Sequence, residues 1–570
     1  MDKKDKIQFV SPRETVEIHL PDRQTISGPR GGRLEDFLKV YQTVSPNPIT
    51  GAVVNGKLEE LSYPVEMDAS VEPISMRTAD GMRFYRRSLT FLLETAFHEI
   101  FPGAILTIDH SVTSGGYYCQ VYRRPPLTQE DLQNLEDKMN DLVEQDLPFT
   151  RIKLSIEEGI RYFEEQGYKS KVRLLHHRKK DYVTLYQLKD HLDYHHGYMV
   201  PSTGYLKWFN LISMDDGFIV RFPRRKDPTI LQPVPEYHTL LNIFQRYGAW
   251  LQRLGIDSVG ALNDSIENDQ IRKIILVSEA LHEQHIAEIA AQIEQAAENI
   301  NVILIAGPSS SGKTTFSKRL TIQLLARGIS PVPLEIDNYF VDREKTPLDK
   351  NGEFNFEALD AVNRKQLSAD LSRLIAGERV QLPEYNFHTG KSGPGEIVQL
   401  RPGQIIILEG IHGLNPDLLP GFPQEGTFRV YVSALTQLNL DRHNRVSTTD
   451  TRLIRRIVRD ARERGYDAKD TIDRWESVRR GEKQYIFPFQ DNADVMFNSA
   501  MAYELSALKP FAEPILRQVP HNTPAWIEAK RLLAFLEWFL PLQIEMIPDN
   551  SILREFLGGS NLKGFKLWET

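Results

Sequence analysis

A chain of 570 residues is too long for one hydrophobic core, and three or four domains are expected. With 41% hydrophobic and 26% charged residues the composition is that of a soluble globular protein, and a formal net charge of -8 excludes a chain-wide basic surface for nucleic acid while leaving room for a local patch. The only cysteine, Cys119, excludes an internal disulfide and a cysteine-only metal site and suits a reducing compartment.

The first six residues, Met1 to Lys6, are charged and lack the apolar stretch of a signal peptide, and no apolar run approaches the ~18 residues of a membrane span. A cytoplasmic protein with no membrane contact is expected. Residues 7–68 alternate in period two, as in Thr15 to Leu20, and Asn55-Gly56 is a strong hairpin signal. A short helix over Leu34 to Val40 completes a small sheet with one helix across it. In 69–225 a helix is read over Tyr85 to Ile100, ended by Pro102-Gly103. Strands follow around Ile105 to Ile108 and Tyr117 to Val121, then a helix from Thr128, whose hydroxyl caps it, to about Glu144. Arg173 to Lys180 is a short basic run, read as a solvated face. Residues 226–300 read as a connector ending in an amphipathic helix, Ser278 to Ile300, with His282 and His285 as solvated helix residues.

From 301 to about 515 strands and helices alternate, the signature of a parallel sheet with crossover helices. The expected strands are Val302–Ala306, Val332–Ile336, Ile405–Glu409, Phe428–Val432 and Val495–Asn498. Directly after the first comes Gly307-Pro308-Ser309-Ser310-Ser311-Gly312-Lys313-Thr314, followed by a helical pattern over Thr315 to Leu325. Strand, glycine loop and helix is the context in which G-x-x-x-x-G-K-[ST] cradles phosphate. The glycines let backbone N–H groups turn inward, and the helix adds the positive end of its dipole. Gly307, Ser309, Ser310, Ser311, Gly312, Lys313, Thr314 and Thr315 are therefore the expected ATP-binding residues. Lys313 reaches the terminal phosphates and Thr314 offers a hydroxyl to Mg²⁺.

Four segments qualify the loop. Asp337 and Tyr339 follow the second strand, where ligands of a parallel sheet bind. Pro383 to His388 is an aromatic and polar loop suited to a flat ring. Glu409 ends a strand in a carboxylate able to hold Mg²⁺. Arg452, Arg455, Arg456 and Arg459 recur at i, i+3, i+4 and i+7 on one helix face. Singly each has a bland explanation in capping, core packing or a solvated charge; their order after a phosphate loop points to a kinase.

In that order the stretch from about 300 to 500 resembles the uridine kinase / phosphoribulokinase family of P-loop kinases. The resemblance extends to Gly352 to Glu357 as acceptor-binding segment, Asp450 to Gly465 as arginine lid, and Tyr485 to Val495 as closing segment. It implies transfer of a phosphoryl group from ATP, with Mg²⁺, to the 5′-hydroxyl of a nucleoside. On that pattern Asp337 orients the acceptor proton, and Thr314, Asp337 and Glu409 hold Mg²⁺. Lys313, Arg452, Arg455 and Arg456 neutralise the triphosphate, and Tyr339, Glu357, Tyr385 and His388 bind the acceptor. Glu357 and Asn386 stand where the family usually has aspartate, and His388 sits closer to Tyr385 than the family's histidine. The acceptor thus extends from uridine and cytidine to other primary hydroxyls.

Residues 7–68 resemble a TGS domain, and about 82–220 resemble the editing domain of threonyl-tRNA synthetases. The residues that carry this are Val54 to Lys57, Arg86-Arg87-Ser88, Phe101 to Ala104, Gly116 to Tyr118, Leu127 to Asp131 and Asp193 to Pro201. The family's four polar editing positions fall here on Arg87, Phe91, His195 and Met199, so no editing hydrolysis is expected. His191, His195 and His196 are read as surface or capping histidines.

The expected architecture is multidomain α/β and α+β. It comprises a β-grasp domain (1–68), an α+β synthetase-like domain (69–225), a helical connector (226–300), a P-loop parallel-sheet kinase domain (301–515) and a C-terminal helical segment (516–570). The expected function is an ATP-dependent nucleoside kinase with a non-editing regulatory or binding module. A same-fold kinase for another small hydroxyl compound, such as a sugar phosphate, and a nucleotide-gated tRNA-binding protein are the alternatives. An RNA or small-molecule effector of the N-terminal half and a homo-oligomer are both compatible with this reading.

Overall fold

A computed structural model of the chain describes residues 11–565 except 12, 44–45, 113–114, 234–237 and 350–351. The charged N-terminal run lies outside the described residues. Two compact units emerge, one of 1–237 with 439–445 and 520–527, the other of 238–438, 446–519 and 528–570.

In the first unit, Thr15–His19, Thr25–Pro29, Ile49–Val54, Lys57–Glu60 and Ala69–Ser75 form a mixed five-stranded sheet. Thr15–His19 and Ala69–Ser75 pair in parallel at its centre, and the remaining pairs are antiparallel. The helix Leu34–Gln42 buries Leu34, Phe37 and Leu38 against it, completing a β-grasp arrangement. The expected hairpin turn is present: Asn55 and Gly56 both take positive φ, 48° and 76°, the geometry that matches the twist of the flanking strands.

The helix Ala79–Ile100 comes next. It begins six residues before the expected Tyr85, because the Thr78 hydroxyl accepts from Gly81 N–H and caps an extra turn. Its buried face shares a core with Leu132, Leu135 and Met139 of the helix Gln129–Glu144, which starts in a capping box at Thr128. Ile105–Val112, Gly116–Tyr122, Gly217–Arg221 and Asn210–Met214 form a four-stranded sheet, and Thr150–Ser155, Tyr182–Leu188 and His191–Asp193 a three-stranded one. A bulge between Ile108 and His110 opens the edge of the larger sheet. There the segment 439–445 attaches: Ile108 N–H donates to the Arg442 carbonyl at 2.8 Å, and the Asp109 carbonyl accepts from Arg445 Nε at 3.2 Å.

The second unit is built on a five-stranded parallel sheet in the order Ser330–Glu335, Gln404–Glu409, Val302–Ala306, Thr427–Ser433, Val495–Asn498. These are the five strands expected from the sequence: two have identical bounds, Gln404–Glu409 starts one residue earlier, Thr427–Ser433 is longer by one residue at each end, and Ser330–Glu335 starts two residues before the expected Val332 and ends one before Ile336. All five Val302–Ala306 side chains are buried, as an inner parallel strand requires. The helix Ile271–Ala296 buries Ile286, Ile289 and Ile293. It also buries His282, which the sequence reading placed in solvent; the ring lies 5.1 Å from Phe497, and burial pushes its pKa down. The Pro383 to His388 segment is not a loop. Val380–Asn386 is a strand paired antiparallel with Lys391–Val398, and Asn386 Oδ1 accepts from His388 N–H to fix the turn between them.

Candidate active site

The strand Val302–Ala306 delivers the chain into the phosphate loop at the carboxyl edge of the parallel sheet. A Cβ at Gly307 would lie 2.0 Å from the Val432 carbonyl, so only glycine lets the loop pass the neighbouring strand. Gly312 takes φ 86° and Ser310 φ 57°, the left-handed turns that curl the loop before the helix Lys313–Ala326. Ser310 and Ser311 are buried, and their hydroxyls lack partners.

Lys313 Nζ lies 3.4 Å from the Pro308 carbonyl and 3.9 Å from Glu409 Oε1. Thr314 donates its hydroxyl to Glu409 Oε2 at 3.0 Å. Burial pushes the Glu409 carboxyl up to about 8; Lys313 pulls it down, while Glu335, Asp337 and Glu555 push it further up. Asp337 is also raised by burial, against the pull of Lys313, Arg464 and Arg459. A hydroxyl and two carboxylates short of positive charge are a donor set that suits Mg²⁺, a hard cation preferring oxygen. Burial likewise raises Glu357, which lies in the field of Arg456, Asp337, Lys313 and Arg452, and one of its oxygens is buried without a partner. The structure thus gathers Lys313, Thr314, Asp337, Glu357 and Glu409 around one space.

The arginine face is arranged differently from a free lid. Arg452 is 1% exposed and Arg455 0%. Arg452 pairs with Glu482 and donates to the Ser309 carbonyl at 2.9 Å. Arg455 pairs with Glu504 and donates to the Ser499 carbonyl at 2.9 Å. Arg456 donates to Ser309 Oγ at 2.8 Å and shares Asp460 with Arg459. In this state Arg452 and Arg455 brace the phosphate loop, with their charge already met by buried carboxylates. Arg459 and Arg464, within the expected lid but given no role there, are the cations at the end of the helix Thr448–Glu463 whose field reaches Asp337.

The acceptor-side residues divide. Tyr339 is buried with its hydroxyl toward Asp370, whose charge adds to burial in raising the phenol. Tyr385 is 4% exposed, its ring edge-on to Phe340 at 5.6 Å and to Phe387 at 5.1 Å. It is a core aromatic here, and the exposed ring of the hairpin is Phe387. His388 is exposed at the turn.

Sequence reasoning missed Glu482, Glu504 and Glu555. Glu482 accepts from Ser309 N–H at 3.2 Å and Glu555 from Thr315 N–H at 3.2 Å, so both carboxylates lie on backbone amides of the loop and its helix. No local pattern announces them, because each lies far along the chain from its partner.

In the first unit, two of the four editing-like positions are filled by apolar groups. Phe91 is buried against Phe149 and His195, Met199 is buried, and Arg87 hydrogen-bonds the Tyr198 carbonyl. His195 is 3% exposed, which corrects its reading as a surface histidine. His196 is half-buried, with its N–H on Asn444 Oδ1 at 3.0 Å.

A parallel sheet with a phosphate loop, a loop lysine and two strand-end carboxylates defines a P-loop kinase fold. Residues 302–506 match the Phosphoribulokinase / Uridine kinase family. Among solved structures the chain is similar to a possible uridine kinase from Bacillus stearothermophilus, at 21% identity and TM-score 0.24, over 37% of this chain and 100% of that one. It is also similar to D-glycerate 3-kinase from Cryptococcus neoformans, at 15% identity and TM-score 0.21, over 48% and 87%. The N-terminal half is covered by threonine–tRNA ligases. That of Marinobacter nauticus is 38% identical over 28% of this chain and 25% of its own length, and that of Methylococcus capsulatus 34% identical over 40% and 36%. The chain thus spans about a quarter to a third of the length of these curated relatives. Among the described residues no helix is long and apolar enough to cross a membrane.

Proposed function

We propose that the second unit transfers the γ-phosphoryl group of ATP to a hydroxyl of a small acceptor, with a nucleoside 5′-hydroxyl as the first candidate. The observation that carries this is the grouping of Lys313, Thr314, Asp337 and Glu409 where the phosphate loop meets the carboxyl edge of the parallel sheet. Phosphoryl transfer spreads negative charge over the migrating group, so positioning and charge stabilisation supply most of the catalysis. Lys313 takes the terminal phosphates, and Gly307 to Thr315 cradle the chain of phosphates with backbone N–H groups. Thr314, Glu409 and Asp337 would hold Mg²⁺, which supplies positive charge beside the transferring group. Asp337 would also orient the acceptor hydroxyl and accept its proton. Glu357, held against the helix Ala468–Tyr485 at Gly481, would accept from acceptor hydroxyls. Arg452 and Arg455 act in this reading by fixing the loop, and Arg456, Arg459 and Arg464, which share Asp460, would exchange that carboxylate for phosphate.

The burial of Tyr385 favours a second reading within the same chemistry, an acceptor with no flat ring to stack. We assign the first unit a binding or regulatory role without editing hydrolysis, since Phe91 and Met199 can neither relay a proton nor hold a metal. The test is ADP formation from Mg²⁺-ATP over a panel of nucleosides and small phosphorylated sugars, beside Lys313→Ala. Turnover that requires one acceptor and disappears in the variant is expected. ATP binding without acceptor-dependent turnover would move RNA binding, read by its salt dependence, to the front.

A further inference from the structure

Inside the first unit, the helix Ala79–Ile100, the strand His191–Asp193 and the segment 439–445 bring acids and imidazoles into one buried space. Glu94 Oε2 lies 3.2 Å from His195 Nε2 and 3.3 Å from His443 Nδ1. Asp193 Oδ2 lies 2.8 Å from the same His443 nitrogen. Donor atoms of Glu94, Asp193 and His195 all fall within 4.8 Å of one another. None of these four side chains is more than 5% exposed. Lys171 holds the other Asp193 oxygen at 2.8 Å and Asp441 at 3.2 Å. Three carboxylates therefore face one ammonium. With neutral imidazoles the space holds two uncompensated negative charges, a costly arrangement away from water. A second observation points the same way: Glu94 Oε1 is buried with no hydrogen-bond partner.

We propose that Glu94, Asp193 and His195, with His443 as fourth ligand, bind a divalent transition-metal ion, Zn²⁺ by the chemistry of the donors. Tetrahedral Zn²⁺ with bonds of about 2.0–2.1 Å sets its ligand atoms roughly 3.3–3.4 Å apart. The Glu94 spacings to His195 and His443 have that length; the Asp193–His443 pair, at 2.8 Å, has to open by about half an ångström, and the donor atoms of Glu94, Asp193 and His195, all within 4.8 Å of one another, have to settle to the same spacing around the ion. Two imidazoles and two carboxylates form a mixed nitrogen and oxygen set that zinc accepts. Lys171, by holding Asp193 Oδ1, leaves Oδ2 for the ion and fixes the carboxylate's direction. Phe91, its ring 5.1 Å from that of His195, closes one side against water. Four protein ligands make a closed, structural site, and His443 is the one delivered by the segment 439–445. The ion would clamp that segment onto its unit.

The test uses the full chain, stripped with a chelator and titrated with Co²⁺, whose visible absorption reports tetrahedral ligation. One equivalent per chain should bind, and Zn²⁺ should displace it. His195→Ala and Glu94→Gln should weaken binding at least about 100-fold. His195→Cys should keep the ion and add a thiolate charge-transfer band, which separates lost ligation from lost folding. Glu409→Gln, in the kinase site, should leave the spectrum unchanged. Folded protein that shows no tetrahedral Co²⁺ spectrum, or a spectrum lost in Glu409→Gln and kept in His195→Ala, would overturn the proposal. Neither result bears on phosphoryl transfer, which is read separately by ADP formation.

Discussion

On the proposed function, Glu555 stands where a nucleotide phosphate would go. Its carboxylate accepts from Thr315 N–H at 3.2 Å, one of the amides at the start of Lys313–Ala326 that an anion otherwise takes. Its surroundings hold it there. Arg462 donates to the Phe556 carbonyl at 2.8 Å and to the Glu555 carbonyl at 2.9 Å, and the Arg455 guanidinium lies 4.9 Å from the centre of the Phe556 ring. If the proposed function holds, ATP has to displace this carboxylate and tolerate its charge. Two unit charges ~4 Å apart repel by ~4 kcal/mol at an effective dielectric of about 20. Withdrawal of the side chain and screening by salt should reduce this to about 1.4 kcal/mol, a factor of about ten in affinity. Glu555→Gln, which keeps size and removes charge, should therefore bind Mg²⁺-ATP about tenfold more tightly in isothermal titration, and Glu555→Ala at least as tightly. Unchanged or weaker binding in both folded variants would refute the reasoning.

The raised Glu409 carboxyl, at about 8, fixes the sign of a pH dependence. Below that pH the group is protonated and Mg²⁺ must displace the proton, so affinity should rise about tenfold per pH unit up to 8 and then level; calorimetry in buffers of different ionisation heat would count the proton. Without metal, the folded state binds more protons than the unfolded chain between the ordinary carboxylate range and pH 8. The melting temperature of the metal-free second unit should therefore fall as pH rises through that window, and Mg²⁺ should restore it; a rise instead would contradict the placement of Glu409. Glu482→Leu leaves Arg452 buried without its anion and should cost about 3–5 kcal/mol, read as a lower melting temperature of the ATP-protected transition. The double variant with Arg452→Met should recover most of that loss, and additive losses would show that the pair is not coupled.

What the sequence made legible follows from where the determining residues lie. Buried parallel strands such as Val302–Ala306 are short apolar runs between polar bounds, and the phosphate loop is contiguous, so both could be read locally. The Asn55-Gly56 turn and the Thr128 cap are legible for the same reason. The arginine face was legible as periodicity, but its state was not, because Glu482 and Glu504 lie 30 and 49 residues from their partners. Glu555 acts across 240 residues. The sequence alone suggests Tyr385 as a ring-gripping loop residue, because aromatic clusters look alike on a turn and in a core; strand pairing with Lys391–Val398 buries it. Ordinary histidine usage suggests His195 as a surface or capping residue. Its burial depends on Glu94, which it meets at 3.2 Å from 101 residues away in the chain.

The central claim is that the second unit moves a phosphoryl group to an acceptor placed at Asp337. The most direct measurement follows the γ-phosphoryl group of labelled ATP into product, in wild type and Asp337→Asn, with ATP affinity measured in both. A phosphorylated acceptor is expected in wild type and a loss of transfer of about 10²–10⁴-fold in the variant, far larger than any loss of Mg²⁺-ATP affinity from the missing metal ligand. Label appearing only as free phosphate, at the same rate in both proteins, would contradict it.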